Sequence, residues 1–193
     1  MLKTFQKVGQ QLISLGLITS HGGNASIRKG DKIFITRHAS MLGCLGRGDV
    51  IKLGLNDTGP ATKNASFELP VHREIYLHSG AGAVLHAHPP HAIALSLVEK
   101  DIRPRDAEGA ILLKEVPIIE TTEVVGSKEV GIMAARLLKE YRVVMIKGHG
   151  SFAVGSASGG LEEALCYTSA LEDSARIIFL LKGLEAKGHS RQS

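Results

Sequence analysis

The 193-residue sequence predicts a single layered α/β domain with a mixed, largely antiparallel central sheet flanked by helices. Three observations carry that expectation. Segments with helical spacing alternate with short strand-like runs along the chain, and a sheet covered by helices buries the apolar faces of both. Several strand-like runs are joined by turns too short for a crossover, which forces antiparallel neighbours. No internal repeat or linker divides the chain, so one domain is expected over residues 1–183, with residues 184–193 as a polar, disordered tail.

Residues 4–15, "TFQKVGQQLISL", place Phe5, Val8, Leu12 and Leu15 at helical spacing, and Gly16 stops the helix. Behind the Gly-rich "HGGN", residues 25–28 and 32–36 read as a hairpin turning through Lys29, Gly30 and Asp31. "DVIKLGL" (49–55) is a further strand, followed by a polar loop over 56–65. "SFELPVHREIYLHSG" reads as a helix because Pro70 is tolerated in a first turn and Gly80 can cap the end, which puts Glu68 at its start. A strand over 83–88 ends at Pro89-Pro90, since proline cannot continue a ladder. A helix near 91–98 follows, then an irregular stretch over 99–110 and an extended "EVPIIET". Ser127 caps a helix in "SKEVGIMAARLLKEY", whose apolar face is Val130, Met133 and Leu137. "RVVMIKGHGSFAVG" is a strand broken at Gly148-His149-Gly150 and resumed at Phe152, and the last helix runs from about 161 to 182.

Composition narrows the function. With 44% hydrophobic and 22% charged residues the chain is globular, and no stretch approaches the roughly 20 apolar residues of a membrane span. The amino terminus lacks the apolar run of a signal peptide, so a cytoplasmic location is expected. Cys44 and Cys166 form no Cys-x-x-Cys pattern, and neither is expected to be catalytic. The net charge of +4 is dispersed and no Trp is present, which argues against nucleic acid and for a small anionic substrate.

The chemistry concentrates in "AVLHAHPPHAIAL" (83–95). Side chains two apart in a strand share a face, so His86 and His88 point the same way at the carboxyl end of a run that the prolines terminate. His149 likewise ends an apolar strand between two glycines that clear space around the ring. Three such rings can form a facial metal site, neutral imidazole being the usual nitrogen ligand of Zn²⁺. Each ring taken alone also suits a satisfied surface or core histidine. His91 reads as the start of the next helix, and His21, His72, His78 and His189 have no comparable case. An acid in a first helical turn, as at Glu68, is favoured by the helix dipole whatever its function.

"HGGNASIR", "FITRHASMLG", "NASFELPVHREIY", "AVLHAHPPHAIALS", "KGHGSFAVG" and "LEEALCYTSALEDSAR" resemble, in order and spacing, the motifs of the class II aldolase/adducin head family, especially its L-fuculose-phosphate aldolase branch. The resemblance covers nearly all of residues 4–182. It implies that His86, His88 and His149 ligate a divalent cation, Zn²⁺ or another such as Mn²⁺ or Co²⁺. Glu68, matching the acid of a Ser-Ser-Glu motif, becomes the fourth ligand and the catalytic acid/base. The implied reaction is reversible cleavage of L-fuculose 1-phosphate, or a related deoxy or methylthio ketose 1-phosphate, to dihydroxyacetone phosphate and an aldehyde. A homotetramer with active sites between subunits is implied too. Retro-aldol cleavage leaves an enediolate whose charge a Lewis-acidic cation stabilises.

The phosphate pocket departs from the family pattern. Gly23 and Asn24 are intact, His38-Ala39 replaces a Thr-Gly pair, and of two serines only Ser66 remains, Phe67 standing for the other. The implied substrate-binding set is Gly23, Asn24, His38 and Ser66. Where the branch carries a tyrosine that protonates the aldehyde oxygen, this chain has Asp106-Ala107-Glu108, and Glu108 resembles the catalytic glutamate of methylthioribulose-1-phosphate dehydratases. Glu108 is therefore expected to be the proton donor, reaching across a subunit interface from a cleft that raises its pKa. The alternatives are a methylthioribulose-1-phosphate dehydratase, a ribulose-5-phosphate 4-epimerase-type enzyme, or a noncatalytic adducin-like interaction module, the last having no need of the ligand set.

Overall fold

The computed structural model describes residues 1–189. Its elements, in order, are α1 (Leu2–Ser14), β1 (Asn24–Lys29), β2 (Lys32–Thr36), β3 (Val50–Gly54), α2 (Leu69–His78), β4 (Ala83–Ala87), α3 (Pro90–Ser96), β5 (Asp101–Ile102), α4 (Ala107–Leu112), β6 (Val116–Ile119), α5 (Lys128–Leu137), β7 (Val143–Ile146), β8 (Gly150–Gly155) and α6 (Gly160–His189). The strands form one eight-stranded sheet in the order β3-β2-β1-β4-β8-β7-β6-β5. All its pairs are antiparallel except β6 with β7, which α5 connects, as a parallel pair requires.

Helices cover both faces. On one, Phe5, Val8 and Leu12 of α1 join Leu95 of α3 and Leu161, Leu171 and Ala175 of α6 against Ala83, Leu85 and Ala87 of β4. On the other, Val71, Ile75 and Tyr76 of α2 and Val130 and Ala134 of α5 pack on Ile33, Ile35, Val84, Val144 and Phe152. β4 is therefore buried on both sides, and its alternation sends His86 to the α2 face beside Val84. Burying aliphatic side chains of this size is worth roughly 1.5–3 kcal/mol each, so the centre of the sheet is the stiffest place from which to hold a site.

Most expected elements stand where the sequence puts them. The exceptions are local. β8 resumes at Gly150, two residues before Phe152. Within 99–110 the chain forms β5 and the start of α4, whose first turn is capped by the Asp106 carboxylate accepting from the Gly109 amide at 2.7 Å. The expected disordered tail is corrected for residues 184–189: α6 does not stop near Lys182 but runs on to His189, through Leu184, Glu185, Ala186 and Lys187, all good helix formers. Residues 190–193 of that tail lie outside the described residues. Cys44 and Cys166 are exposed and unpaired. No described helix is long and apolar enough to cross a membrane.

Candidate active site

Two chain segments meet at one end of the sheet. β4 delivers His86 and, one residue past its end, His88; the turn between β7 and β8 delivers His149, with Gly148 at φ +68° and the His149 amide donating to the Ile146 carbonyl. The three rings offer ligand nitrogens all within 4.8 Å of one another. His86 Nδ1–H donates to the Ser151 carbonyl at 3.0 Å, which leaves its Nε2 lone pair facing His88 Nε2, also 3.0 Å away. Burial pushes all three rings towards the neutral form that ligates. It sets His86 well below the usual imidazole range and His88 at about 4, in each case with neighbouring rings adding to it, and it lowers His149 against an opposing hydrogen bond with the Val124 backbone. Gly150 makes the convergence possible, because a Cβ there would stand 2.7 Å from His88 Cδ2 and 3.1 Å from His86 Cε1.

Glu68 sits at the start of α2 yet does not cap it: its side chain turns to the loop before α5, where Oε2 accepts the Gly126 amide at 3.0 Å. That orientation sets aside the helix-dipole explanation, which needs the carboxylate at its own helix terminus. The residue is 3% exposed, and burial raises its carboxyl to about 7 although the Gly126 amide opposes the rise. Its Oε1 and Nδ1 of His149 are both buried without a hydrogen-bond partner. Glu68 and the three histidines line one cleft of about 300 Å³. Three neutral imidazoles with mutually close nitrogens, one of them carrying an unpartnered buried Nδ1, fit a divalent first-row cation, since a buried polar atom left alone costs roughly 1–3 kcal/mol; Glu68 lines the same cleft with Oε1 unpartnered but stands outside that group of close nitrogens.

The cleft is also lined by glycine, amide, hydroxyl and imidazole groups. Gly23 (φ +73°) bends the chain behind His86, and a Cβ there would lie 2.8 Å from the His86 carbonyl oxygen, so a larger residue would push β1 off β4. Asn24 follows, opposite His86 in the β1–β4 ladder. Ser66 lines the cleft with its Oγ accepting the Glu68 amide, and His38 lines it too, its ring tilted against Phe67 with centroids 4.0 Å apart. Glu68 is the sole acid on these walls among the described residues.

Gly23, Asn24, His38, Ser66, Glu68, His86, His88 and His149 are thus brought together, and Glu108 is not: it lies in the first turn of α4, exposed and outside the cleft of its own chain. Two contributors escape sequence reasoning. Arg37 lines the cleft and is held by Asp49, whose Oδ1 accepts from Nε at 3.0 Å and Nη2 at 2.7 Å; its adjacency to His38 in "FITRHAS" was the available signal. His72, entirely buried, lies hydrogen-bonded behind Asn24, and nothing local in the sequence marks it. His91 is no ligand; its Nδ1 pairs with Glu172 at 2.6 Å, and that carboxylate also accepts the first amides of α3.

Comparison with known proteins places this arrangement. The chain is 36% identical to the L-fuculose-1-phosphate aldolase of Thermus thermophilus, whose crystal structure superposes with a TM-score of 0.90 over 94% of each chain. It is 28% identical over 181 residues to the L-fuculose phosphate aldolase of Methanocaldococcus jannaschii, covering 92% of this chain and 95% of that one. It is also 31% identical over 163 residues to the methylthioribulose-1-phosphate dehydratase of Acidiphilium cryptum, covering 77% and 76%. Residues 3–179 match the Class II Aldolase and Adducin N-terminal domain family, and the chain belongs to that family.

Proposed function

We propose that the protein is a divalent-metal-dependent lyase that reversibly cleaves L-fuculose 1-phosphate, or a closely related ketose 1-phosphate, to dihydroxyacetone phosphate and an aldehyde. The observation that carries this reading is the meeting of three neutral imidazoles and a buried, partly unpartnered carboxylate in one cleft that Gly23, Asn24, His38 and Ser66 also line. His86, His88 and His149 hold the cation, with Glu68 as a fourth ligand. A divalent cation there supplies Lewis acidity to the substrate's carbonyl and adjacent hydroxyl oxygens. Gly23, Asn24, Ser66 and His38 take the phosphate end and so fix which carbon faces Glu68.

Cleavage breaks the C3–C4 bond. The C4 hydroxyl loses its proton as its oxygen becomes the aldehyde, and the bond's electron pair passes to C3, which is then protonated. Glu68, with Oε1 free and a carboxyl near neutrality, is placed to carry the proton to C3. Glu108 is assigned the aldehyde oxygen's proton at a neighbouring protomer's cleft. That role needs an assembly, because Glu108 is exposed and lies outside the cleft of its own chain. The apolar groove between α3 and α6, lined by Val98, Phe179, Leu180 and Leu184, supports burial against like chains and a homotetramer. A cytoplasmic sugar-phosphate enzyme is the corresponding cellular reading.

Zinc-loaded protein is to be offered L-fuculose 1-phosphate, methylthioribulose 1-phosphate and ribulose 5-phosphate, with dihydroxyacetone phosphate, released water and epimerised product read separately. The proposal expects dihydroxyacetone phosphate from the first. Loss of water from methylthioribulose 1-phosphate without carbon–carbon cleavage of any sugar would establish the dehydratase that the Acidiphilium relative suggests.

A further inference from the structure

Behind the cleft, four side chains form one buried line of hydrogen bonds. Asn24 Oδ1 lies 2.6 Å from His72 Nε2, His72 Nδ1 lies 2.6 Å from Ser26 Oγ, and Ser26 Oγ lies 2.7 Å from the Tyr76 hydroxyl. The line exists because two periods match: Asn24 and Ser26 are two apart on one face of β1, and His72 and Tyr76 are four apart on the facing stripe of α2. Ser26 and His72 are fully buried and Tyr76 nearly so.

In such surroundings every proton needs an acceptor, and this orders the line. Among the described side-chain hydrogen bonds the Tyr76 hydroxyl meets only Ser26 Oγ, so the phenol's own proton goes there. Ser26 then donates to His72 Nδ1. Burial keeps the ring neutral, pushing it down to about 3, so its one proton sits on Nε2 and is donated to Asn24 Oδ1. The Asn24 carbonyl is thereby used up inside, and its NH₂ is left for the cleft that Asn24 lines. The opposite order would strand the phenol proton in the core and turn a carbonyl on the cleft.

We propose that His72 is a positioning residue: through the Tyr76–Ser26–His72 relay it holds the Asn24 amide with both N–H groups toward the cleft, making that corner a donor site selective for an anionic oxygen. The proposal rests on the sugar-phosphate reading of the same cleft for the identity of the anion, but the direction of the relay does not.

The test uses zinc-loaded protein with ¹⁵N-labelled histidine and asparagine side chains and inorganic phosphate as the probe. Long-range ¹H–¹⁵N correlation is expected to show His72 protonated on Nε2 and bare on Nδ1, and phosphate is expected to shift the Asn24 NH₂ signals. Ser26→Ala and, as a second variant should the first fail to fold, Tyr76→Phe are expected to weaken phosphate binding about threefold to tenfold, the span set by one neutral hydrogen bond, with zinc content unchanged. A proton on Nδ1 of His72, or wild-type phosphate affinity in both folded variants, overturns the positioning role. An Nε2-protonated His72 with no phosphate response at Asn24 supports the relay and refutes the sugar-phosphate reading instead.

Discussion

Gly150→Ala tests whether the histidine site depends on the backbone that frames it. A Cβ at this position would lie 2.5 Å from the Ala87 carbonyl oxygen, 2.7 Å from His88 Cδ2 and 3.1 Å from His86 Cε1. Ordinary contact begins near 3.4 Å, so the His88 ring has to retreat by about 0.7 Å and the Ala87 carbonyl by about 0.9 Å. The carbonyl cannot yield freely, because Ala87 is paired with Ser151 in the β4–β8 ladder. The rings absorb most of the displacement, and they are the proposed ligands. Overpacking of this kind costs about 1–3 kcal/mol, or about 2–12 °C in Tm for a chain of this length. Misplacement of reacting groups by about 1 Å costs on the order of 10²-fold in rate. The variant is therefore expected to fold with a modestly lowered Tm, bind zinc at least about tenfold more weakly, and lose about 10²-fold in turnover, as read by calorimetry, zinc titration and dihydroxyacetone phosphate release. Wild-type zinc affinity and turnover in a folded Gly150→Ala protein would show that the histidine site does not depend on the backbone at this position.

Three further outcomes follow from the same geometry. Glu68→Gln is expected to retain zinc on the three imidazoles but lose roughly 10²- to 10⁴-fold in turnover, the span for a missing acid/base; near wild-type activity removes Glu68 from the mechanism. Glu108→Gln is expected to slow cleavage at least about tenfold without changing metal content or assembly, and normal cleavage by this variant assigns the proton to another group. The metal-free protein is expected to be acid-labile. His72 falls to about 3 in the fold against an ordinary 6.5, so between those values the unfolded chain binds a proton that the folded one does not. Its contribution to stability is complete above pH 6.5 and declines as the pH falls, by up to about 1.4 kcal/mol per unit. His86, His88 and His149 act in the same direction, and Glu68, raised to about 7, acts in the opposite one between that value and 4.5. The four imidazoles outweigh the single carboxyl, so urea midpoints are expected to drop between pH 7 and 5, and a flat profile contradicts the burial assigned to these rings.

The parts legible in the sequence are those whose signal is local. The hairpin through Gly30, the proline stop after His88 and the Gly-His-Gly turn each specify a conformation within a few residues, and together they predict the sheet's antiparallel character and three of the site's histidines. α4 was not legible because its six residues are too few to show a helical period; its signal was Asp106 three residues before Gly109. α6 outruns its expected end because polar residues after Lys182 look like a tail in composition while remaining good helix formers. His72 was illegible for a different reason. The partners of His72, Asn24 and Ser26, lie 48 and 46 residues away on another element, so its role depends on tertiary packing alone. Glu68 shows the mixed case: its place at a helix start is local, whereas the turn of its carboxylate toward Gly126, 58 residues on, is not.

On the proposed function, one divalent cation held by His86, His88 and His149 runs carbon–carbon cleavage in this cleft. The most direct measurement is titration of zinc into chelator-stripped protein while dihydroxyacetone phosphate release from L-fuculose 1-phosphate is followed. Activity is predicted to be absent at the start, to rise in proportion to added zinc and to level off at one ion per chain. Undiminished release from the stripped protein, or no release at one bound ion per chain, would contradict it.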